Sequence, residues 1–349
     1  MDHTVVIVGA GFSVAAGLPV TSKIIEQFLS YGGPDDAEVT GALKKFRETV
    51  FGIAPKSPPS FEDYFTMLDS AANTGHNLGA TYTPAMLRAI RRLSIHRVLQ
   101  ILNDQYAHSP HIEAMLARLA SGRENTIVST NWDIVVEKHI CTNPPGTACD
   151  YGRTTNREPS ESSTRLKLLK LHGSANWGYC DTCRGVQVVG PGKGLLHSGV
   201  FLREEDFKRL DITWSPHLVR STPPPCRICC STLSARMATF SFSKALGFFQ
   251  FQSVWDEART ALMKANRWIF IGYSLPDADF EIRSLLKTAQ LASQSNGGDG
   301  PYIACVLKDD KASKMRFRRF FGDRIKRIYT DGLEAWWESQ ADHLGHEIA

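Results

Sequence analysis

Thr4-Val5-Val6-Ile7-Val8-Gly9-Ala10-Gly11-Phe12-Ser13 is the stretch on which the fold is read. Five consecutive β-branched residues have the stiff side chains that suit a strand, and their polarity does not alternate, so the expected strand is covered on both faces. It gives way to two glycines one residue apart and then to Val14-Ala15-Ala16-Gly17-Leu18-Pro19, which opens a helix. Glycines let the backbone turn tightly and approach a ligand, while N–H groups at the helix start, with the Ser13 hydroxyl, offer hydrogen bonds to a phosphate. A tight turn with no ligand accounts for the same residues. The fingerprint of ordinary dehydrogenases is not met: position 14 is Val where the third glycine belongs, and the next strand lies more than a hundred residues away.

Outward from this turn, similar short runs recur at Thr126 to Thr130, Leu166 to Leu171, Trp268 to Gly272, Tyr302 to Leu307 and Arg324 to Tyr329. Helical patterns fall between them, notably at Pro84 to Tyr106, His111 to Leu119, Val254 to Ala265 and Asp279 to Leu291. The alternation predicts an α/β protein with a Rossmann-like, doubly wound parallel sheet of about six strands. Two stretches break the rhythm. Residues 31–119 are too long for one crossover and read as a helical insertion. Residues 177–240, rich in glycine and proline, read as a small inserted module, which leaves 1–30, 120–176 and 241–349 for the sheet domain.

The chain has 349 residues, 42% of them apolar, enough for a substantial core; a net charge of +4 with 22% charged residues demands no polyanionic partner. The N-terminus shows no basic leader or cleavage site, and no segment approaches the roughly 20 apolar residues needed to span a bilayer, so a soluble, cytoplasmic protein without membrane contact is expected. A basic run, Lys311, Lys314, Arg316, Arg318, Arg319, Arg324, Lys326 and Arg327, reads more readily as a solvated face than as a nucleic-acid surface, and contact with nucleic acid stays open.

Eight cysteines in such a chain suggest metal ligands or buried thiols. Cys180-Asp181-Thr182-Cys183 and Cys226-Arg227-Ile228-Cys229 are two CxxC pairs, each able to form a knuckle whose thiolates converge on a tetrahedral ion. Four sulfurs leave no open position for water, so the expected zinc is structural. Cys230 is an alternative fourth ligand to Cys229, and Cys141, Cys149 and Cys305 read as structural thiols.

In open parallel sheets, ligand groups emerge at the carboxyl ends of strands. Two further strands here end in polar residues: Thr130-Asn131-Trp132-Asp133 and Leu171-His172-Gly173-Ser174. Asn131 or Asp133 can serve instead as a helix N-cap, and His172 as a histidine satisfied within a turn. Phe270-Ile271-Gly272-Tyr273-Ser274-Leu275-Pro276-Asp277-Ala278-Asp279 adds a glycine and a serine at a fourth strand end, and Lys308-Asp309 closes a fifth. Together these termini describe a nucleotide cleft.

The order GAGFS, TNWD, LHG, paired CxxC and GYS resembles the sirtuin-like family over nearly the whole chain. The resemblance implies that NAD+ is the substrate, held by the Gly9 to Ser13 turn (Gly9, Ala10, Gly11, Phe12, Ser13) and by Thr130. Asn131 would contact the nicotinamide ribose, Asp133 the carboxamide, and His172 would act as general base. Gly272 and Ser274 would meet phosphate and ribose, and Lys308 and Asp309 the adenosine ribose, although neither is the residue usual there. Departures point within the family. The Asp-Phe-Arg after the first turn and the Phe-Gly-Glu that lines an acyl-lysine channel in deacylating sirtuins are absent. The helical insertion and the Gly272 to Asp279 stretch are similar to sirtuin-like NADases of bacterial anti-phage systems. An NAD+ hydrolase is therefore expected, with a lysine deacylase and a non-catalytic NAD or ADP-ribose sensor as alternatives. The resemblance also implies an oligomer, or a partner such as an ATPase or Argonaute-type protein.

Overall fold

The computed structural model of the protein describes residues 3–32, 36–52, 59–121, 125–142, 147–152, 164–189, 196, 202–214, 217–218, 222–235, 251–295, 300–308 and 310–341. Seven parallel strands form the main sheet: β1 (Thr4–Val8), β2 (Thr126–Ser129), β3 (Thr147–Asp150), β4 (Thr164–Lys170), β8 (Arg267–Ile271), β9 (Tyr302–Val306) and β10 (Ile325–Tyr329), in the order β10-β9-β8-β1-β2-β4-β3. The winding reverses at β1, which pairs with β2 on one side and β8 on the other, so the crevice for a ligand opens over the carboxyl end of β1. All five residues of β1 are buried, as its unbroken apolar run requires. The edge strand β3 was not expected from sequence. Its four residues, Thr147 to Asp150, carry no apolar run, and only pairing with β4 makes them a strand.

After β1 come the single turn α1 (Ala10–Ser13), then α2 (Thr21–Phe28), α3 (Ala37–Phe51), α4 (Phe61–Thr74) and α5 (Pro84–Asp104). Ser60 caps α4 by accepting from the Asp63 amide at 3.0 Å, and Thr83 caps α5 with Pro84 at its first position. Next is α6 (Pro110–Ser121), which lies within the span read as insertion yet packs Ile112, Met115, Leu116 and Leu119 into the sheet's core. The remaining elements are α7 (Val135–Thr142), the short strands β5 (Trp177–Cys180), β6 (Val186–Val188) and β7 (Leu233–Ser234), and α8 (Glu204–Leu210), α9 (Gln252–Lys264), α10 (Phe280–Ser295), α11 (Lys311–Phe321) and α12 (Gly332–Ala341). β5 to β7 form a separate antiparallel sheet in the order β6-β5-β7.

Among the described residues two apolar cores result. The first surrounds the main sheet. The second joins Phe28, Phe46, Phe65, Leu93 and Val98 of α2 to α5 with Cys180, Leu202, Phe207, Cys226 and Leu233 of the cysteine-rich segment. The two stretches that interrupt the sheet in sequence thus share one interior. An ion pair fastens them: Arg92 of α5 grips Asp206 of α8 with two guanidinium nitrogens, Nε at 2.8 Å, and Asp206 is fully buried. Trp132, Ile134 and Ala175, which follow β2 and β4, reach into this second core. Among the described residues no helix is long and apolar enough to cross a membrane.

Candidate active site and metal centre

Three strand ends meet over the first turn. Asn131, just past β2, donates from Nδ2 to the Gly9 carbonyl at 2.9 Å and to Ser13 Oγ at 3.1 Å. Ser13 Oγ in turn donates to Asp133 Oδ2 at 2.8 Å, while Asp133 Oδ1 accepts from the Val135 amide at 3.1 Å. One oxygen of Asp133 thus meets the start of α7, as its capping reading has it, and the other belongs to the polar cluster. Between them Trp132 is buried in the second core, and its carbonyl accepts from the Ala175 amide at 2.9 Å. His172, past β4, lies with Nδ1 3.1 Å from the Thr130 carbonyl oxygen. A carbonyl only accepts, so Nδ1 carries a proton, and in the neutral tautomer of the ring the lone pair falls on Nε2.

A cavity of about 870 Å³ runs along this edge, and Ala10, Gly11, Ser13, Thr130, Asn131, Asp133, His172, Gly272, Ser274 and Lys308 all line it. Two expected contacts sit differently. Phe12 is buried in the sheet's core, and Gly9 offers its carbonyl to Asn131. Asp309 lies outside the described residues. The glycines also have a role the sequence did not reveal. The Gly11 amide donates to the Gly272 carbonyl at 2.8 Å, and a Cβ on Gly272 would stand 2.0 Å from the Phe12 nitrogen. Gly272 has φ +60°, so the turns after β1 and β8 touch backbone to backbone where no side chain fits.

Other lining residues were missed. Arg316, read as part of a solvated basic run, turns inward and donates from Nε to the Ser274 carbonyl at 2.9 Å and from Nη2 to Ser313 Oγ at 2.7 Å. Its place next to the buried Phe317 and three residues after the buried Ser313 had no signal in a run of like charges. Tyr273, fully buried, donates to Asp279 at 2.9 Å; burial, then the Asp279 charge, pushes its phenol well above the ordinary range and keeps it a donor. Pro19 to Ile25 and Pro59 to Glu62, from the helical stretch before and within α2 and α4, close the opposite wall.

Away from the cavity, Cys180, Cys183, Cys226 and Cys229 bring their sulfurs within 4.8 Å of one another. Cys180 and Cys229 are 3.4 Å apart, Cys183 and Cys226 3.6 Å; sulfurs about 2.3 Å from a tetrahedral zinc stand about 3.8 Å from each other. The Cys183 amide points at Cys180 Sγ (3.5 Å), the turn expected of a knuckle. Hydrogen bonds from Ser231, side chain first and then backbone, bring the Cys229 thiol down to about 6, and the Cys229 and Ile228 amides lower that of Cys226. The Gly185 amide acts in the same sense on Cys183, but desolvation and the neighbouring thiols outweigh it and raise Cys183 to about 12. Four sulfurs this close share protons until a cation stands between them. The donor set therefore fits a structural zinc held by these four residues. The sulfur of Cys229 belongs to this group and that of the exposed Cys230 does not, so the choice falls on Cys229. Cys149 and the buried Cys305 stand apart from the group.

The model of a family described as SIR2-like domain matches residues 125–324, more than half of the chain. Solved structures similar to it include a Sir2 complex with a p53 peptide and NAD+ (16% identity, TM-score 0.46, covering 98% of this chain and 93% of that one). A Sir2 homologue mutant in complex with 2'-O-acetyl ADP ribose is also similar (13% identity, TM-score 0.48, coverage 99% and 93%). So is Sir2Tm bound to a propionylated peptide (17% identity, TM-score 0.42, coverage 98% and 93%). A search among curated proteins gives no match.

Proposed function

The chain belongs to the SIR2-like domain family, and from that premise we propose that it hydrolyses the bond between nicotinamide and ribose in NAD+. The observation that carries the reading is the gathering of Asn131, Asp133 and His172 beside the glycine turn of β1 in one cavity. The sheet order supports it. From β4, with His172, to β9, with Lys308, are four inter-strand steps, about 19 Å at about 4.8 Å each. That is the reach of an extended dinucleotide, with the reacting end over β2 and β4 and the pyrophosphate over the Gly9 to Ser13 turn.

The substrate brings its own leaving group, a pyridinium. The C1'–N bond breaks, its electron pair neutralises the ring nitrogen, and water bonds to C1', giving nicotinamide, ADP-ribose and a proton. The protein must orient the ribose, stabilise the cation forming at C1' and take that proton. Asn131, held by two hydrogen bonds, orients ribose and water. Asp133 holds the carboxamide and places a negative charge near the developing cation. His172, with Nε2 as its basic nitrogen, accepts the proton from water or a ribose hydroxyl. The setting proposed with this activity is NAD+ depletion in bacterial anti-phage defence, in an assembly with further copies or a partner. It rests on the Gly272 to Asp279 stretch and the helical insertion.

Purified protein incubated with NAD+, with and without an acetyl-lysine peptide, tests the proposal by mass spectrometry. Nicotinamide and ADP-ribose in the absence of peptide are expected. Turnover only with peptide, yielding acetyl-ADP-ribose, makes the protein a deacylase, and binding without turnover makes it a sensor.

A further inference from the structure

Directly behind the proposed reacting groups lies a buried ion pair that the mechanism above does not use. Lys170 ends β4 two residues before His172, and Glu137 stands in the first turn of α7, four residues after Asp133. Both side chains are 1% exposed, with Lys170 Nζ 3.0 Å from Glu137 Oε1. Lys170 Nζ also donates to the Asp133 carbonyl. Glu137 Oε1 accepts from the hydroxyls of Tyr151 and Ser174, each at 3.3 Å. Asn176 Nδ2 in turn donates to the Tyr151 oxygen at 3.1 Å. Burial, then the Glu137 charge, pushes the Tyr151 phenol well above its ordinary range, so it remains a donor.

Stability is a poor reason for such a pair. Desolvating two charges offsets most of their attraction, and apolar replacements of buried pairs are often neutral or stabilising. Glu137 Oε2, buried without a partner among the described residues, adds to the cost. The contacts have a spatial logic instead. On one side they reach the residues that flank His172, Lys170 before it and Ser174 after it; on the other they reach the Asp133 main chain and the helix that Asp133 caps. Two chain segments from different strands are clamped by one charged cluster.

We propose that Lys170 and Glu137 are positioning residues whose ion pair sets the placement of Asp133 relative to His172. The inference rests on the hydrolase reading for its catalytic consequence, since a displacement of about 1 Å in a reacting group costs about 100-fold in rate. The pair touches neither the glycine turn nor the β8 and β9 ends of the cavity, so substrate affinity is set elsewhere.

The test compares wild-type protein with the Lys170→Met/Glu137→Met double variant, which removes both charges and leaves none unpaired. The double variant is expected to fold with KM for NAD+ within about twofold and kcat lowered about 100-fold. A folded double variant with kcat within about twofold of wild type overturns the proposal. Should the double variant not fold, Glu137→Gln takes its place. It keeps an acceptor for Tyr151 and Ser174 while losing the charge; a kcat about tenfold lower at unchanged KM is expected, and full kcat overturns the proposal. Wild-type protein that does not consume NAD+ at all defeats the hydrolase reading alone. Hydrogen–deuterium exchange then decides the positioning claim without turnover: amides of residues 130–135 and 171–174 are expected to exchange at least about tenfold faster in the variant, and unchanged exchange there overturns it.

Discussion

Asn131 stands out in the sequence by its place just past an apolar run, but what its side chain bonds to does not. Its amide is exchanged between Gly9 and Ser13, residues more than a hundred positions away, so its role as the link between two strand ends has no local signature. His172→Ala is expected to lower nicotinamide release by about 10²- to 10⁴-fold, the range for a lost general base. ADP-ribose binding, measured by calorimetry, should persist, because the contacts that hold the far end of the ligand are untouched. Asn131→Ala should cost activity to a similar degree and also loosen Ser13, since it removes the donor that fixes the hydroxyl. Turnover retained in both variants rules out the proposed chemistry.

Among the elements, the contact between the turns after β1 and β8 depends on an absence of side chains. Gly272→Ala must fit a Cβ 2.0 Å from the Phe12 nitrogen at φ +60°, which costs at least about 2 kcal/mol. Chemical denaturation should report that loss, together with a collapse of NAD+ turnover as Gly11 is pushed from the cavity. In the cysteine-rich segment, Cys183→Ser should abolish bound zinc, read by metal analysis. Because Cys180 and Cys226 belong to the core shared with α2 to α5, thermal unfolding should shift for the helical part as well, and chelation should act in the same sense. Purified protein that carries no zinc, and whose melting temperature a chelator leaves unchanged, argues against a metal there.

On the scale of the whole molecule, the cavity lies where the two cores meet: the sheet supplies its floor, and Pro19 to Ile25 and Pro59 to Glu62 its other wall. Trp132 couples them, buried in the second core between Asn131 and Asp133. Trp132→Ala is expected to destabilise by about 3 kcal/mol and to lower kcat, with zinc still bound. Conversely, ADP-ribose at about 100 times its Kd adds about 2.7 kcal/mol to the folded state, about 4 °C in melting temperature for a chain of this length. That shift should be smaller in Trp132→Ala. Equal shifts would mean that the ligand does not sense the second core.

Reading the chain alone identified what is written in local patterns. The unbroken apolar run Thr4 to Val8 signals a strand covered on both faces, paired CxxC spacing signals a knuckle, and polar residues just past apolar runs mark the ligand edge of a parallel sheet. These depend on neighbours within a few residues, which is why they survive without coordinates. Tertiary structure alone decided the rest. Pairing with β4 made Thr147 to Asp150 a strand; the gathering of four sulfurs took in Cys229 and not the exposed Cys230; and Arg316 turned inward from a run of like charges. The two interruptions of the sheet proved to share one core, and Lys170 met Glu137 behind the reacting edge. The physical reason is common to all five: each depends on groups brought together from distant or unpatterned positions, and only the packed chain sets such proximity.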